Sequence, residues 1–228
     1  DNTDANHGGW RGFVRRGNRS RATGGLLQAV GYRTVALGTY LNGARPGKGP
    51  EPGWDVAIVA QEKSSGKKKG KKGKNRKRRS GKTKYVGGLS DPQMISTALV
   101  ELSATPRAQP LYFHIGFNTP HTPAIPSPAY AGRFAGAQVA RDPSFNEADV
   151  SGKPAYVRKL RGLSLNHQGW LDNLHQRRLE CLLEVDDALA LLWPAIEARG
   201  KADNTYVFLT TDNGYLMGQH RLYGKIAP

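Results

Sequence analysis

The stretch "ATGGLLQAVGYRTVALGTY", residues 22–40, decides the fold class. Apolar residues at helical spacing in its first half predict a short amphipathic helix over Ala22 to Val30. Gly31 is a typical helix stop, and the apolar run from Thr34 to Leu37 suits a buried strand. A helix, a glycine stop and a buried strand make one step of an α/β sheet.

The same step recurs twice along the chain. "SDPQMISTALVEL" predicts a helix that begins near Ser90 or Asp91, with Pro92 as its first residue, and "LYFHIGF" at 111–117 follows as a strand. "NLHQRRLECLLEVDDALALLWPAIEARG" at 173–200 predicts a long helix, and "NTYVFL" at 204–209 follows as a buried strand. The predicted apolar stripe of the long helix comprises Leu179, Leu182, Leu183, Leu189 and Leu192.

Three such steps predict an α/β fold with a mostly parallel central sheet flanked by helices. Pro194 marks a kink or a new turn in the long helix. Residues 118–169 are rich in Pro, Gly and Asn and are too long for a simple connection, which indicates a functional loop or an ordered excursion. Because parallel sheets keep ligand sites at the carboxyl ends of their strands, the loops after 111–117 and 204–209 are the places to look for chemistry.

Charge is concentrated in one segment of the chain. Lys63 to Lys84 hold 13 Lys and Arg and no acid, so the rest of the chain carries 34 − 13 = 21 positive against 18 negative side chains. With Gly and Ser spacers and no aliphatic residue, Lys63 to Lys84 is predicted to be a disordered insertion. It is open to three interpretations: a solvated insertion, a tether for polyanions, or a nuclear-localisation signal.

One cysteine, Cys181, excludes an intrachain disulfide and a cysteine metal cluster within these residues. Its place in a leucine-rich helical pattern predicts a buried thiol. No apolar run approaches the ~18 residues of a membrane span.

Polar side chains follow two of the predicted strands. Asp212 and Asn213 offer the hard oxygen ligands that Ca²⁺ or Mg²⁺ accepts, although "DNG" alone is a common turn. His121, between two prolines of "NTPHTP", could donate a hydrogen bond to an anionic ester or protonate a leaving group. Lys225 could hold sulfate or phosphate oxygens, and His220 could line the same pocket. A lone loop histidine or lysine is also commonly a solvated surface residue.

Five motifs in order, "GYRTVALGTYLNG", "FNTPHTP", "PSFNEADVSGKPAYVRKL", "RRLECLLEVDDALALL" and "DNTYVFLTTDNGYLMGQHRLYGK", resemble the sulfatases, in particular the N-acetylglucosamine-6-sulfatase-like branch. The resemblance covers residues 1–60 and 85–228. It implies an alkaline-phosphatase-like α/β sandwich, incomplete at both ends of this chain, and hydrolysis of sulfate esters of sugars or glycosaminoglycans. Residues 1–228 would form one partial catalytic domain that Lys63–Lys84 interrupts.

Carried over by motif, the resemblance implies roles for single residues. Asp212 and Asn213 would be ligands of one calcium ion, His121 would contact the sulfate ester, and Lys225 would bind sulfate oxygens. His220 is a weaker candidate for the pocket. The family's nucleophile is a formylglycine made from a cysteine or serine, and its sulfate oxygens lie on the calcium ion.

The sequence also departs from the family pattern. Neither the early pair of aspartates nor the Cys/Ser-x-Pro-x-Arg motif that supplies formylglycine occurs in these residues, so both are expected upstream of Asp1. Thr39 stands in "GTYLNG" where the family usually has a lysine, which removes a sulfate contact. We therefore expect the isolated chain to have no turnover.

Two other functions remain open at this stage. One is a non-catalytic protein that binds polyanions through Lys63–Lys84. The other is a phosphodiesterase or phosphatase of the same superfamily, which would share the metal and anion contacts. The resemblance implies a secreted, periplasmic or lysosome-like location and a sulfated carbohydrate as substrate, while the oligomeric state is not written in the sequence.

Overall fold

The computed structural model describes residues 9–41, 52–59, 61–63, 84–86 and 90–225. Its helices are α1 (Gly9–Arg15), α2 (Thr23–Ala29), α3 (Asp91–Ala104), α4 (Ala155–Arg158) and α5 (Leu165–Ala198). Its strands are β1 (Arg33–Gly38), β2 (Val56–Val59), β3 (Gln61–Lys63), β4 (Lys84–Val86), β5 (Leu111–Gly116), β6 (Leu216–Met217) and β7 (Tyr223–Gly224). A 3-10 turn covers Ala202–Asn204.

The chain divides into two compact units. The first comprises Asp1–Asn118 and Leu191–Ala202, and the second comprises Thr119–Ala190 and Asp203–Pro228. All five predicted site residues belong to the second unit, whereas Thr39 belongs to the first.

A parallel sheet of order β2-β1-β5 forms the core of the first unit. Strand β1 pairs in parallel with both neighbours, with Val35 opposite Val56 and opposite Phe113. The side chains of Thr34 to Leu37 are fully buried, as a central strand covered on both faces requires. The α/β class predicted from residues 22–40 is therefore confirmed.

Thr34 is polar, yet it is fully buried in β1. Its backbone N–H donates to Asp55 Oδ2 at 2.8 Å, and its hydroxyl donates to the same oxygen at 3.1 Å. The amide of Gln28 donates to the other carboxylate oxygen at 3.0 Å. These bonds satisfy the buried polar groups and tie α2 to the start of β2.

Helix α3 begins at Asp91, one residue before the predicted first residue Pro92, and its cap is the predicted Ser90. Ser90 is the N-cap and forms a capping box with Gln93, and Pro92 lies in the first turn. The apolar face turned toward the core is Met94, Ile95, Ala98 and Leu102. Gly38 ends β1 with a positive φ of 80°, and a Cβ at this position would lie 2.2 Å from both Gly116 O and Met94 Sδ, so only glycine fits.

Helix α5 organises the second unit through a row of polar side chains one turn apart. Asp172 accepts from Val139 N at 2.9 Å, Glu180 from Gly132 N at 2.8 Å, and Glu184 from Ser127 N at 2.7 Å. Gln176 donates to the carbonyl of Ala137 at 2.8 Å. The spacing of about four residues places these groups on one helix face, where they hold the irregular loop at 127–139.

A short antiparallel hairpin, β6 with β7, completes the described part of the second unit. Met217 of this hairpin packs against two buried clusters, which are Ala124, Leu174 and Cys181, and Val139, Leu163 and Leu171. Cys181 is 2% exposed, which confirms the predicted buried thiol.

The strand predicted at 204–209 is wrong. Tyr206 to Leu209 lie in irregular backbone and are 61–88% exposed. An apolar run becomes a buried strand only where a neighbouring strand pairs with it, and the described residues record no strand pairing for this segment.

The long helix and its stripe also differ from prediction. Helix α5 begins at Leu165, eight residues before residue 173, and it continues through Pro194. Leu182 and Leu189 of the predicted stripe are 42% and 39% exposed. Because the polar row occupies part of the inward side, the buried apolar face is shifted to Leu171, Leu174, Cys181, Val185, Ala188 and Leu192.

Residues 64–83, the body of the basic segment, lie outside the described residues. Its two ends are strand residues rather than disordered, because Lys63 of β3 lies opposite Lys84 of β4 in an antiparallel pair. None of the helices in the described ranges combines the length and the apolar character that crossing a membrane requires.

Candidate functional site

Asp212 and Asn213 lie next to each other in the irregular segment that follows Leu209. Asn213 Nδ2 donates to Asp212 Oδ1 at 2.9 Å, and the hydroxyl of Thr211 donates to the carbonyl of Asn213 at 2.9 Å. The pair is therefore held by its own loop, and the buried strand expected to fix it is absent from the described residues. Its carboxylate and amide oxygens have the chemistry of a hard-cation site.

His121 is exposed and lies in a loop, five residues after the end of β5. Its Nδ1 is 2.8 Å from the carbonyl oxygen of Thr122. Because a carbonyl oxygen can only accept, Nδ1 carries the hydrogen of this bond, and Nε2 is the nitrogen left for a ligand. In the neutral ring Nε2 accepts a hydrogen bond, and in the imidazolium it donates one.

His220 is part of a charged cluster that sequence reasoning did not identify. Its Nδ1 is 2.7 Å from Glu147 Oε1, and Lys153 Nζ is 3.3 Å from Glu147 Oε2. The hydrogen bond from His220, together with the ammonium of Lys153, holds the pKa of Glu147 below its ordinary value.

Arg221 fixes the same corner through the backbone. It donates to the carbonyl oxygens of Glu147 at 3.0 Å, Ala148 at 2.8 Å and Leu160 at 2.8 Å. Both His220 and Arg221 have positive φ angles, 53° and 63°, which non-glycine residues adopt only where their surroundings impose it. These contacts give His220 a fixed orientation.

Lys225 lies one residue beyond β7, and it is exposed. An exposed ammonium on a flexible stem can reach an anionic ligand as a point charge. Thr39, the departure from the family pattern, donates its hydroxyl to Asn118 Oδ1 at 3.1 Å in the first unit.

The structure brings some predicted residues together and leaves others separate. Asp212 and Asn213 are bonded to each other, whereas no hydrogen bond or ion pair joins His121, His220 and Lys225 to one another or to Asp212 in the described ranges. Within the same ranges no three His, Cys, Asp or Glu side chains gather as a metal site. The side-chain oxygens of Asp212 and Asn213 are of the type that Ca²⁺ binds, but they supply only part of its ~6 to 8 ligands.

Glu147 and Arg221 are the residues that the sequence did not reveal. Glu147 lies in the quoted motif "PSFNEADVSGKPAYVRKL", but its partner His220 is 73 positions away. A local pattern carries no information about such a distant pairing. The motif as a whole is the one sequence signal that points to a functional role for Glu147.

Comparison with known proteins gives the family context of this arrangement. The sulfatase family model matches residues 5–228. A Sulf-1 homolog of Caenorhabditis elegans is 32% identical over 219 residues, which cover 94% of this chain and 30% of that protein. The N-acetylglucosamine-6-sulfatases of Bos taurus and Homo sapiens are each 30% identical over 203 residues, which cover 86% of this chain and 36% of each relative. The chain thus spans about a third of the length of these relatives.

Proposed function

Because this chain belongs to the sulfatase family, whose members hydrolyse sulfate esters, we propose that it is part of an enzyme acting on sulfated sugars of the N-acetylglucosamine-6-sulfate type. The family match over residues 5–228 is the observation that carries this proposal. The family's α/β class agrees with the parallel sheet of β1, β2 and β5. Residues 1–228 are proposed to be one partial catalytic domain, with Lys63–Lys84 as its basic insertion.

In this proposal Lys225, His121 and His220 of the second unit each have a separate role at the sulfate group. Lys225 binds sulfate oxygens as a point charge, and the protonated ring of His121 donates a hydrogen bond from Nε2 to the ester oxygen. The protonated ring can also give its Nε2 proton to the leaving sugar oxygen, because Nδ1 is already engaged with Thr122. His220 forms a wall of the pocket in the orientation that Glu147 imposes.

Asp212 and Asn213 are proposed to supply some of the ligands of the family's calcium ion. When bound, this ion would neutralise charge on the sulfate oxygens. The chain has no Cys/Ser-x-Pro-x-Arg motif. We therefore expect the isolated 228 residues to bind a sulfated sugar without releasing sulfate.

The relatives include a protein named an extracellular sulfatase, and a secreted, periplasmic or lysosome-like location is proposed on that basis.

Binding of N-acetylglucosamine 6-sulfate to the pure chain, measured by calorimetry with and without added calcium, tests the proposal. Lys225→Ala and His121→Ala should each weaken binding by about tenfold, the size expected for losing one charge-assisted hydrogen bond. Lys159→Ala and His175→Ala remove residues of the same type elsewhere in the second unit and should leave the affinity unchanged. Equal losses in targets and controls, or no binding by the parent chain, would overturn the proposal.

A phosphatase of the same superfamily would share the metal and anion contacts, so turnover rather than binding tells the two activities apart. Calcium-dependent release of sulfate from 4-nitrocatechol sulfate by the chain would contradict the expected lack of turnover.

The β3–β4 pair favours a second candidate function, polyanion binding by Lys63–Lys84. The pairing of Lys63 with Lys84 makes the basic segment begin and end at one place. Replacing residues 64–83 by Asn-Gly, a sequence suited to a two-residue hairpin, keeps the strand pair and removes eleven cations. The variant should bind heparin more weakly than the parent at low salt and about equally at high salt, where charges are screened. Unchanged heparin affinity at low salt would exclude this function.

A further inference from the structure

Three rings lie together in the second unit and take no part in the site described above. The ring centroids of His167 and Tyr223 are 4.6 Å apart, those of His167 and Trp170 are 5.7 Å apart, and those of Trp170 and Tyr223 are 6.0 Å apart. The planes of Trp170 and Tyr223 meet at 74°, so the two rings form the walls of a corner. We call His167, Trp170 and Tyr223 the aromatic corner.

The rings of the corner remain open to solvent. Trp170 is 42% exposed and Tyr223 is 44% exposed, although large aromatic rings bury more surface when they serve only to pack a core. The core beneath is filled by other residues, since the adjacent Leu171 is 0% exposed and Leu174 is 1% exposed. The corner is therefore an aromatic surface rather than an edge of the core.

Two regular elements hold the corner in place. His167 and Trp170 lie in the first turns of α5, where Ser164 Oγ accepts from the backbone N–H of His167. Tyr223 lies in β7, opposite Met217, and Met217 packs against Leu171 and Leu174 through the two buried clusters. A surface fixed by a helix and a hairpin loses little conformational entropy when a ligand binds.

We propose that the aromatic corner is a binding site for a sugar ring, in which the C–H face of a pyranose packs on Trp170 and Tyr223. The C–H groups of a pyranose are weakly positive and complement the negative face of an aromatic ring. The imidazole of His167 offers a hydrogen-bonding group to the hydroxyls at the edge of the sugar. Lys225 follows Tyr223 by two residues. A glycan whose anionic group binds Lys225 would therefore have a sugar ring near the aromatic corner. The choice of a carbohydrate rests on the proposed function.

Titration with neutral N-acetylglucosamine oligomers, followed by calorimetry at low and high salt, tests the corner separately from any sulfate contact. Trp170→Ala and Tyr223→Ala should each weaken binding by about tenfold. Trp170→Phe keeps an aromatic face and should retain most of the affinity. Because no charge is involved, the affinity of the parent chain should not change with salt.

The chain offers matched controls for both rings. Trp193 is a second tryptophan of α5 with 39% exposure, and Tyr156 has the same 44% exposure as Tyr223. Trp193→Ala and Tyr156→Ala should bind the oligomers as the parent does, and near-ultraviolet circular dichroism checks that every variant is folded. Equal losses in the controls, no loss in Trp170→Ala, or no binding by the parent would overturn the sugar site.

The outcomes distinguish the two proposals. If neutral oligomers bind at the corner but the sulfate ester gains nothing from Lys225, the sugar site stands and the sulfate pocket fails. If the sulfate ester binds through Lys225 and His121 while Trp170→Ala has no effect on either ligand, the sulfate pocket stands and the sugar site fails.

Discussion

Glu147 joins two distant parts of the second unit through a single carboxylate. One oxygen contacts His220 Nδ1 at 2.7 Å, the other contacts Lys153 Nζ at 3.3 Å, and the backbone carbonyl accepts from Arg221. Both side-chain partners favour the charged form of the carboxyl, which lowers its pKa in the folded chain. The folded state therefore binds this proton less readily than the unfolded state does.

Glu147 should make stability depend on pH in the acid range. Above the ordinary value of 4.5 the ionised carboxylate contributes its full stabilisation, and this is lost as the pH falls through the lower folded-state pKa. Glu147→Gln should thus unfold at lower urea than the parent at neutral pH, and the difference should shrink below pH 4.5. Urea unfolding followed by tryptophan fluorescence across the acid range measures both.

Asp186→Asn is the control, since it removes an exposed carboxylate on α5. Its unfolding curve should follow that of the parent at every pH. If Glu147→Gln also matched the parent at neutral pH, the cluster would contribute no stability.

At the residue scale, sequence reasoning succeeded where the signal was local. Ser90 and Pro92 mark the start of α3 because a helix cap is a property of four consecutive residues. The pairing of Glu147 with His220 was not predictable, because it depends on how distant segments fold together. The roles of His121, His220, Lys225, Asp212 and Asn213 stay predictions that the binding experiments decide.

At the scale of elements, the polar row on α5 determines the course of the loop at 127–139. Glu180 is only 4% exposed, and it accepts hydrogen bonds from the backbone N–H groups of Gly132 and Phe134 at 2.8 and 3.4 Å. Turn hydrogen bonds within the loop pair some of its amides, such as those of Tyr130 and Ala135. Side chains of the helix pair the amides of Ser127, Gly132 and Phe134 instead. The row explains how a long irregular segment remains packed.

Glu180→Ala should lower the free energy of unfolding by about 1 to 3 kcal/mol, because the backbone N–H groups of Gly132 and Phe134 lose the charged acceptor that the buried Glu180 provides. Glu180→Gln retains one oxygen acceptor and should lose less. Chemical denaturation gives both values, and hydrogen exchange at Gly132 and Phe134 should speed up in the alanine variant.

Leu182→Ala is the matched control on the same helix, because this side chain is 42% exposed. It should cost clearly less than Glu180→Ala. The reverse order would show that the predicted leucine stripe, rather than the polar row, faces the packed side.

The sequence predicted elements better than it predicted which face of an element is buried. Strands β1 and β5 and helices α2 and α3 were found because their patterns are short and bounded by Gly or Pro. In α5 leucines occur on every side, so the pattern fits several stripes equally well. The polar row decides between them, and its partners lie up to 57 residues away in the sequence.

For the whole molecule, exposed apolar side chains and net charge have opposite effects on self-association. The segment from Tyr206 to Leu209 presents four consecutive apolar side chains to solvent. The hydrophobic pattern predicts a strand there, but burial depends on a pairing partner that a pattern cannot supply. A contiguous exposed apolar segment favours self-association. The formal net charge of +16 opposes it through repulsion between copies.

This balance predicts self-association that increases with salt. Screening weakens the repulsion at high ionic strength and leaves the apolar attraction in place, so sedimentation velocity should show more oligomer at high salt than at low salt. Phe208 is 86% exposed, and Phe208→Ser should shift the chain toward monomer at high salt without changing its thermal unfolding.

Ile125→Ser, which removes a 75% exposed apolar side chain outside this segment, should leave the oligomer population as in the parent. Removing residues 64–83 lowers the net charge to 16 − 11 = +5, so this variant should already associate at low salt through Phe208. A parent chain that stays monomeric at every salt concentration would show that Tyr206 to Leu209 is not an adhesive surface.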